Sequence, residues 1–78
     1  MLIEVRLYAT LRRYAPASSA GVLHVQVPVD YSVTELLSTI SIELTEVHII
    51  MINGVSGTPA SILHDGDRLG LFPAVGGG

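Results

Sequence analysis

The sequence predicts an α+β fold, a mixed sheet of four to five strands with one packed helix and a flexible glycine-rich C-terminal tail. Three observations predict it. Apolar and polar residues alternate near the start, as in a strand with one wet side. One central stretch switches to helical spacing behind a capping signal. Turn residues at Asn53-Gly54 and Asp65-Gly66-Asp67 bracket short apolar runs in the last third. The 78 residues make one small domain, residues 1–73, followed by a tail at 74–78.

Each element has its own signal. In Leu2–Tyr8 one face is Ile3, Val5 and Leu7 and the other Glu4, Arg6 and Tyr8. Ala9–Ala15 is mixed in character, and Pro16–Gly21 is a loop by composition. Leu23, Val25 and Val27 alternate with His24 and Gln26 until Pro28 ends the strand. Helical spacing of Val33, Leu36, Leu37, Ile40 and Leu44 predicts a helix over Ser32–Leu44. Ser32 and Glu35 form a capping box, with Tyr31 placed to staple onto Leu36. Replacing Ser32 with Ala costs about 1 kcal/mol. Val47–Asn53 is apolar on both faces and reads as a central strand under the helix. A short strand and loop follow over Val55–Leu63, with Ile62 or Leu63 plugging the core, and Arg68–Phe72 is the last strand. Pro73 has no N–H to donate, so regular pairing stops there. This order of elements is that of a β-grasp domain.

Composition narrows the function. The chain is 49% hydrophobic and only 14% charged, against about 25% charged in ordinary soluble domains. So small a domain leaves some of that apolar surface for a partner. The longest apolar run, Ile49–Ile52, is too short to span a bilayer, and no signal-peptide pattern opens the sequence, which reads as soluble and cytoplasmic. Cysteine is absent, and with it disulfides, thiolate metal sites and a thiol nucleophile. The net charge is −3 and all four cations are arginines, so no basic stripe invites nucleic acid. Without lysine, only the α-amino group could accept a conjugate.

His24, His48 and His64 lack metal-ligand spacing, and Asp65 and Asp67 lack the other ligands of a calcium loop. No nucleophile–base constellation is visible, so the chain is not expected to be an enzyme by itself. Arg12 and Arg13 are adjacent like charges, either a solvated loop or a contact for an acidic partner. Tyr8 and Phe72 both leave the face opposite the core and form an aromatic patch beside the tail. The tail, Ala74–Gly78, has no charged side chain and reaches about 17 Å when extended. Gly76, Gly77 and Gly78 could thread a channel closed to larger residues, leaving the carbonyl carbon of Gly78 unhindered. The terminal carboxylate then reads as the reactive group, the plainer alternative being a flexible end.

The segment Leu7-Tyr-Ala-Thr-Leu-Arg-Arg-Tyr-Ala15 resembles the Phe-Ala-x-Leu-Arg-Glu segment of MoaD-type proteins. Asn53-Gly54, then Leu63-His-Asp-Gly-Asp-Arg-Leu-Gly-Leu-Phe-Pro73, then the glycine end follow the same family in order and spacing. On these motifs the chain resembles the MoaD/ThiS ubiquitin-like sulfur carriers over its whole length. The resemblance implies a β-grasp fold and a non-catalytic small subunit of molybdopterin synthase. It also implies an adenylating enzyme (MoeB/ThiF-like) that uses Mg-ATP to activate the terminal carboxylate, with no cofactor held by the carrier. A sulfur donor then leaves a thiocarboxylate, and the tail inserts into a large, MoaE-like subunit to give sulfur to precursor Z. Carried over, Gly78 bears the sulfur, Gly76 and Gly77 thread the channel, and Tyr8, Arg12, Phe72, Pro73 and Val75 meet the partner. Two departures stand out: Ala74 and Gly76 replace a proline and an alanine common in the family's tail, and Ser56 occupies a commonly apolar position. Other sulfur-transfer routes (thiamin thiazole, cysteine) and a protein modifier joined through Gly78 use the same activated end and stay open. The Ala9–Ala15 segment favours the MoaD type over the ThiS type, and neither molybdenum nor tungsten is favoured.

Overall fold

The structure, a computed structural model, describes residues 1–74. Strand β1 (Leu2–Leu7) buries Ile3, Val5 and Leu7 and turns Arg6 outward, as its alternation requires. It pairs antiparallel with β2 (Val22–Gln26), whose Leu23 and Val25 pack at the margin of the core. Between them, Ala9–Tyr14 forms a 3₁₀ helix held down by Leu11, its one buried residue. Gly21 must be glycine: its φ is +82°, and a Cβ would stand 2.7 Å from the Leu7 carbonyl oxygen.

Helix α1 (Val33–Thr39) starts as expected. The Ser32 hydroxyl accepts from the Glu35 N–H at 3.1 Å, and the Glu35 carboxylate accepts from the Ser32 N–H at 3.0 Å. Tyr31 packs against the core and its hydroxyl meets Thr39 Oγ1 at 3.2 Å. The helix ends well before Leu44, which corrects the predicted extent. Ser41 adopts a left-handed φ of +62°, and the Ile42 N–H bonds to the Leu37 carbonyl, reversing the chain. That turn buries Ile42 and leaves Leu44 40% exposed in a separate 3₁₀ turn, so Ile42 takes the core role expected of Leu44.

Strand β3 (Val47–Ile52) joins the two-residue β4 (Val55–Ser56) through Asn53-Gly54, whose φ values are +53° and +80°. Such positive angles at both centres make the tight hairpin turn signalled by Asn-Gly. In the loop that follows, Leu63 plugs the core while Ile62 stays 48% exposed. Asp65-Gly66-Asp67 then leads into β5 (Arg68–Pro73). The Asp67 carboxylate accepts from the His64 N–H and from Asn53 Nδ2, both at 2.8 Å, and Asp65 accepts from the Leu2 N–H at 2.7 Å. Two carboxylates thus tie this turn to the β3–β4 hairpin and to β1.

The sheet order is β2-β1-β5-β3-β4, with β1 and β5 parallel and the other pairs antiparallel. This is the β-grasp arrangement. β3 lies inside the sheet between β5 and β4, as its two apolar faces suggested, and β5 takes the middle place; Leu69 and Leu71 are accordingly fully buried, while Ile49 of β3 is 43% exposed. Pairing also runs one residue further than proline chemistry suggested. Pro73 sits opposite Val47 beyond a bulge at His48, where a missing N–H breaks no regular ladder. The core joins the inner faces of β1, β5 and β3 to Val33, Leu36 and Leu37 of α1.

Candidate functional site

The sheet face away from α1 is bare of covering structure among the described residues, and strand register fixes what it shows. Arg6, Gly70 and Met51 lie side by side on β1, β5 and β3; one step along, Ile49 stands beside Phe72. Tyr8 and Phe72 stack in parallel, ring centroids 4.3 Å apart at an interplanar angle of 1°. The Tyr8 N–H bonds to the Leu71 carbonyl at 3.2 Å, which fixes the end of β1 against β5 and brings the rings together.

Arg6, Tyr8, Met51, Arg68 and Phe72, with Gly54, line an open groove of about 280 Å³ with Gly70 at its floor. The stacked rings and Met51 supply apolar walls, and Arg6 and Arg68 supply charge. Arg6 bonds Glu4 at 2.6 Å, and that carboxylate raises the guanidinium further above its ordinary value, with the Tyr8 hydroxyl adding to it. Glu4 also lies 3.9 Å from His24. Arg68 makes no side-chain hydrogen bond or ion pair among the described residues. The face is therefore apolar at the end where β5 leaves the sheet and cationic further back. Ser56, opposite Met51, adds only a hydroxyl at the rim.

Of the residues expected to meet a partner, Tyr8 and Phe72 come together and Pro73 follows directly, half-buried. Arg12 does not join them: it is exposed on the 3₁₀ helix and its side chain lies over Gly21. Arg13 is exposed; it bonds the Glu46 carboxylate, which also accepts from the Tyr14 hydroxyl, and lies 4.7 Å over the Tyr14 ring. The expectations for Val75, Gly76, Gly77 and Gly78 lie outside the described residues. Sequence reasoning missed Arg6, Arg68 and Gly70. Their signal was present, since Arg68, Gly70 and Phe72 alternate on one strand face as Arg6 and Tyr8 do on another. Among the described residues no three histidine, aspartate or glutamate side chains are placed to hold a metal ion.

Residues 1–76 match the Mut7-C ubiquitin family. The chain belongs to that family. Structures similar to this Mut7-C ubiquitin domain include SAMP1, a small archaeal modifier protein of Haloferax volcanii, at TM-score 0.77 and 24% identity over the whole of both chains. The Haloferax volcanii HVO 2177 protein matches at TM-score 0.76 and 27% identity, over all of this chain and 87% of that one. Subunit 1 or 2 in a complex of the Helicobacter pylori molybdopterin-converting factor matches at TM-score 0.63 and 23% identity over both full lengths. No curated protein matches in sequence. The shared architecture is the ubiquitin-like fold. No helix among the described residues is long and apolar enough to cross a membrane.

Proposed function

We propose that this domain is a sulfur carrier of molybdopterin biosynthesis, activated at the carboxylate of Gly78. The observation that carries the reading is the course of β5: the central strand leaves the core through Phe72 and Pro73 beside an exposed aromatic stack and leads into Val75-Gly-Gly-Gly78. A carboxylate is ionised at neutral pH and a poor electrophile. Attack of its oxygen on the α-phosphorus of ATP, in a partner adenylating enzyme that uses Mg-ATP, expels pyrophosphate and gives an acyl-adenylate. A sulfur nucleophile then adds at the Gly78 carbonyl carbon and AMP leaves, so the end becomes a thiocarboxylate. The carrier's own residues dock and orient: Tyr8 and Phe72 hold the partner, while the glycines let the end enter a narrow channel. The likeness to a complex of the two Helicobacter pylori subunits supports a large, MoaE-like partner. The carrier contributes no catalytic group of its own in this reading, which places both steps in the cytoplasm.

The likeness to SAMP1 favours a second reading, a modifier conjugated through Gly78 to amines of other proteins. Having no lysine, the chain would then offer no side-chain amine for a further copy. Both readings need the same activated end, as would a carrier for thiamin thiazole or cysteine.

Removing Gly77 and Gly78 tests the shared step. Glycines bury no apolar side chain, so the truncated chain melts at nearly the temperature of the full one yet forms no adenylate with the adenylating enzyme and ATP. A large fall in melting temperature would make the tail structural and count against the proposal.

A further inference from the structure

Gly70 is a glycine the fold does not require. Among the described glycines, Gly21, Gly54 and Gly66 have φ near +80°, and a Cβ on Gly57 would meet Ile52 Cδ1 at 2.9 Å. Gly70 has neither reason. It lies in mid-strand, and a Cβ there would meet Tyr8, Met51 and Phe72 at 3.6–3.7 Å, ordinary contact distances. Glycine inside a strand weakens it and often marks a place where another molecule approaches the backbone. Here its effect is to hollow the floor of the groove between the aromatic stack and the two arginines.

We propose that this hollow is a socket for one apolar side chain of the adenylating enzyme, flanked on that partner by a carboxylate. The inference rests on the proposed function for the identity of the partner and adds the chemistry of the contact. At about 280 Å³ the groove falls just below the range of about 300–1,000 Å³ usual for small-molecule sites and is open above, which suits an inserted side chain better than a free ligand. The carboxylate follows from charge. The chain carries net −3, yet on the outer face of β1 and β5 Arg6 and Arg68 outnumber the single acid, Glu4, which is bonded to Arg6. Among the described residues Arg68 makes no side-chain hydrogen bond or ion pair, and its guanidinium carries the planar donors that hold a carboxylate by two parallel bonds.

Gly70→Leu fills the socket from within while keeping a strand-compatible residue. Pyrophosphate–ATP exchange by the adenylating enzyme, measured against carrier concentration, gives the readout together with a thermal melt. The expected result is an unchanged or higher melting temperature and a KM for the carrier raised about tenfold or more, equivalent to about 1.4 kcal/mol, with the effect on KM rather than kcat. Arg68→Glu raises KM likewise and removes the rise in KM that added salt produces with the unaltered chain. A folded Gly70→Leu with unchanged KM overturns the socket. If the unaltered chain supports no exchange, the proposed function fails instead, and the socket is then read with N-acetyl-leucyl-aspartate amide as the probe. This dipeptide should shift the amide resonances of Gly70, Met51 and Arg68 in the unaltered chain and not in Gly70→Leu; no shift overturns the socket on its own account.

Discussion

Under the proposed function, Phe72→Arg is expected to lower affinity for a large, MoaE-like subunit at least about a hundredfold while the domain stays folded. Burying much of an aromatic ring stabilises a complex by roughly 2–3 kcal/mol at about 25 cal/mol per Å². An arginine forfeits that and places an unpaired charge in the contact. The tail offers little compensation, because glycines bury almost no apolar area. Stability falls as well, since Phe72 is half-buried and stacked on Tyr8 at 4.3 Å. An aromatic pair contributes about 0.5–1.5 kcal/mol beyond its area, a few degrees of melting temperature in a domain of this size. Titration calorimetry and a thermal melt read the two effects separately. Lost stability with unchanged binding would place the docking surface elsewhere.

Leu11→Ala produces a large loss of stability. Leu11 is fully buried and is the only buried residue of the 3₁₀ helix Ala9–Tyr14. Truncating such a leucine costs about 2–5 kcal/mol, a large part of the roughly 5–15 kcal/mol that holds a small domain together. The helix begins next to Tyr8, so its release also loosens one half of the aromatic stack. By contrast, the exposed Arg13–Glu46 pair, replaced by Ala at Arg13, costs no more than about 1 kcal/mol. Urea unfolding of both variants gives the comparison, and a cost for Leu11→Ala below that for Arg13→Ala would show the segment is not held by its leucine.

Local chemistry was legible in the sequence, while tertiary choices were not. Alternation identified the buried face of β1, the capping box fixed the start of α1, and Asn53-Gly54 fixed the hairpin, because each depends on neighbouring residues. The end of α1 depends on packing: helical spacing continues to Leu44, but reversal at Ser41 buries Ile42 instead. Likewise, β3 and β5 are both rich in apolar residues and both lie inside the sheet, and which one takes its middle place is settled by the parallel pairing of β5 with β1. In the site, Tyr8 and Phe72 followed from strand parity. The groove did not, because Arg6, Gly70, Met51 and Arg68 come from three strands and meet only through register. For Arg12 and Arg13, both exposed, it is Gly21 and Glu46, distant along the chain, that decide where the side chains lie.

Mass spectrometry of the last peptide reads directly whether Gly78 gains sulfur. After incubation with the adenylating enzyme, ATP and a sulfur donor, the expected product has a single oxygen replaced by sulfur, localised to Gly78. An isopeptide bond from Gly78 to lysines of other proteins, with no thiocarboxylate formed, would contradict it.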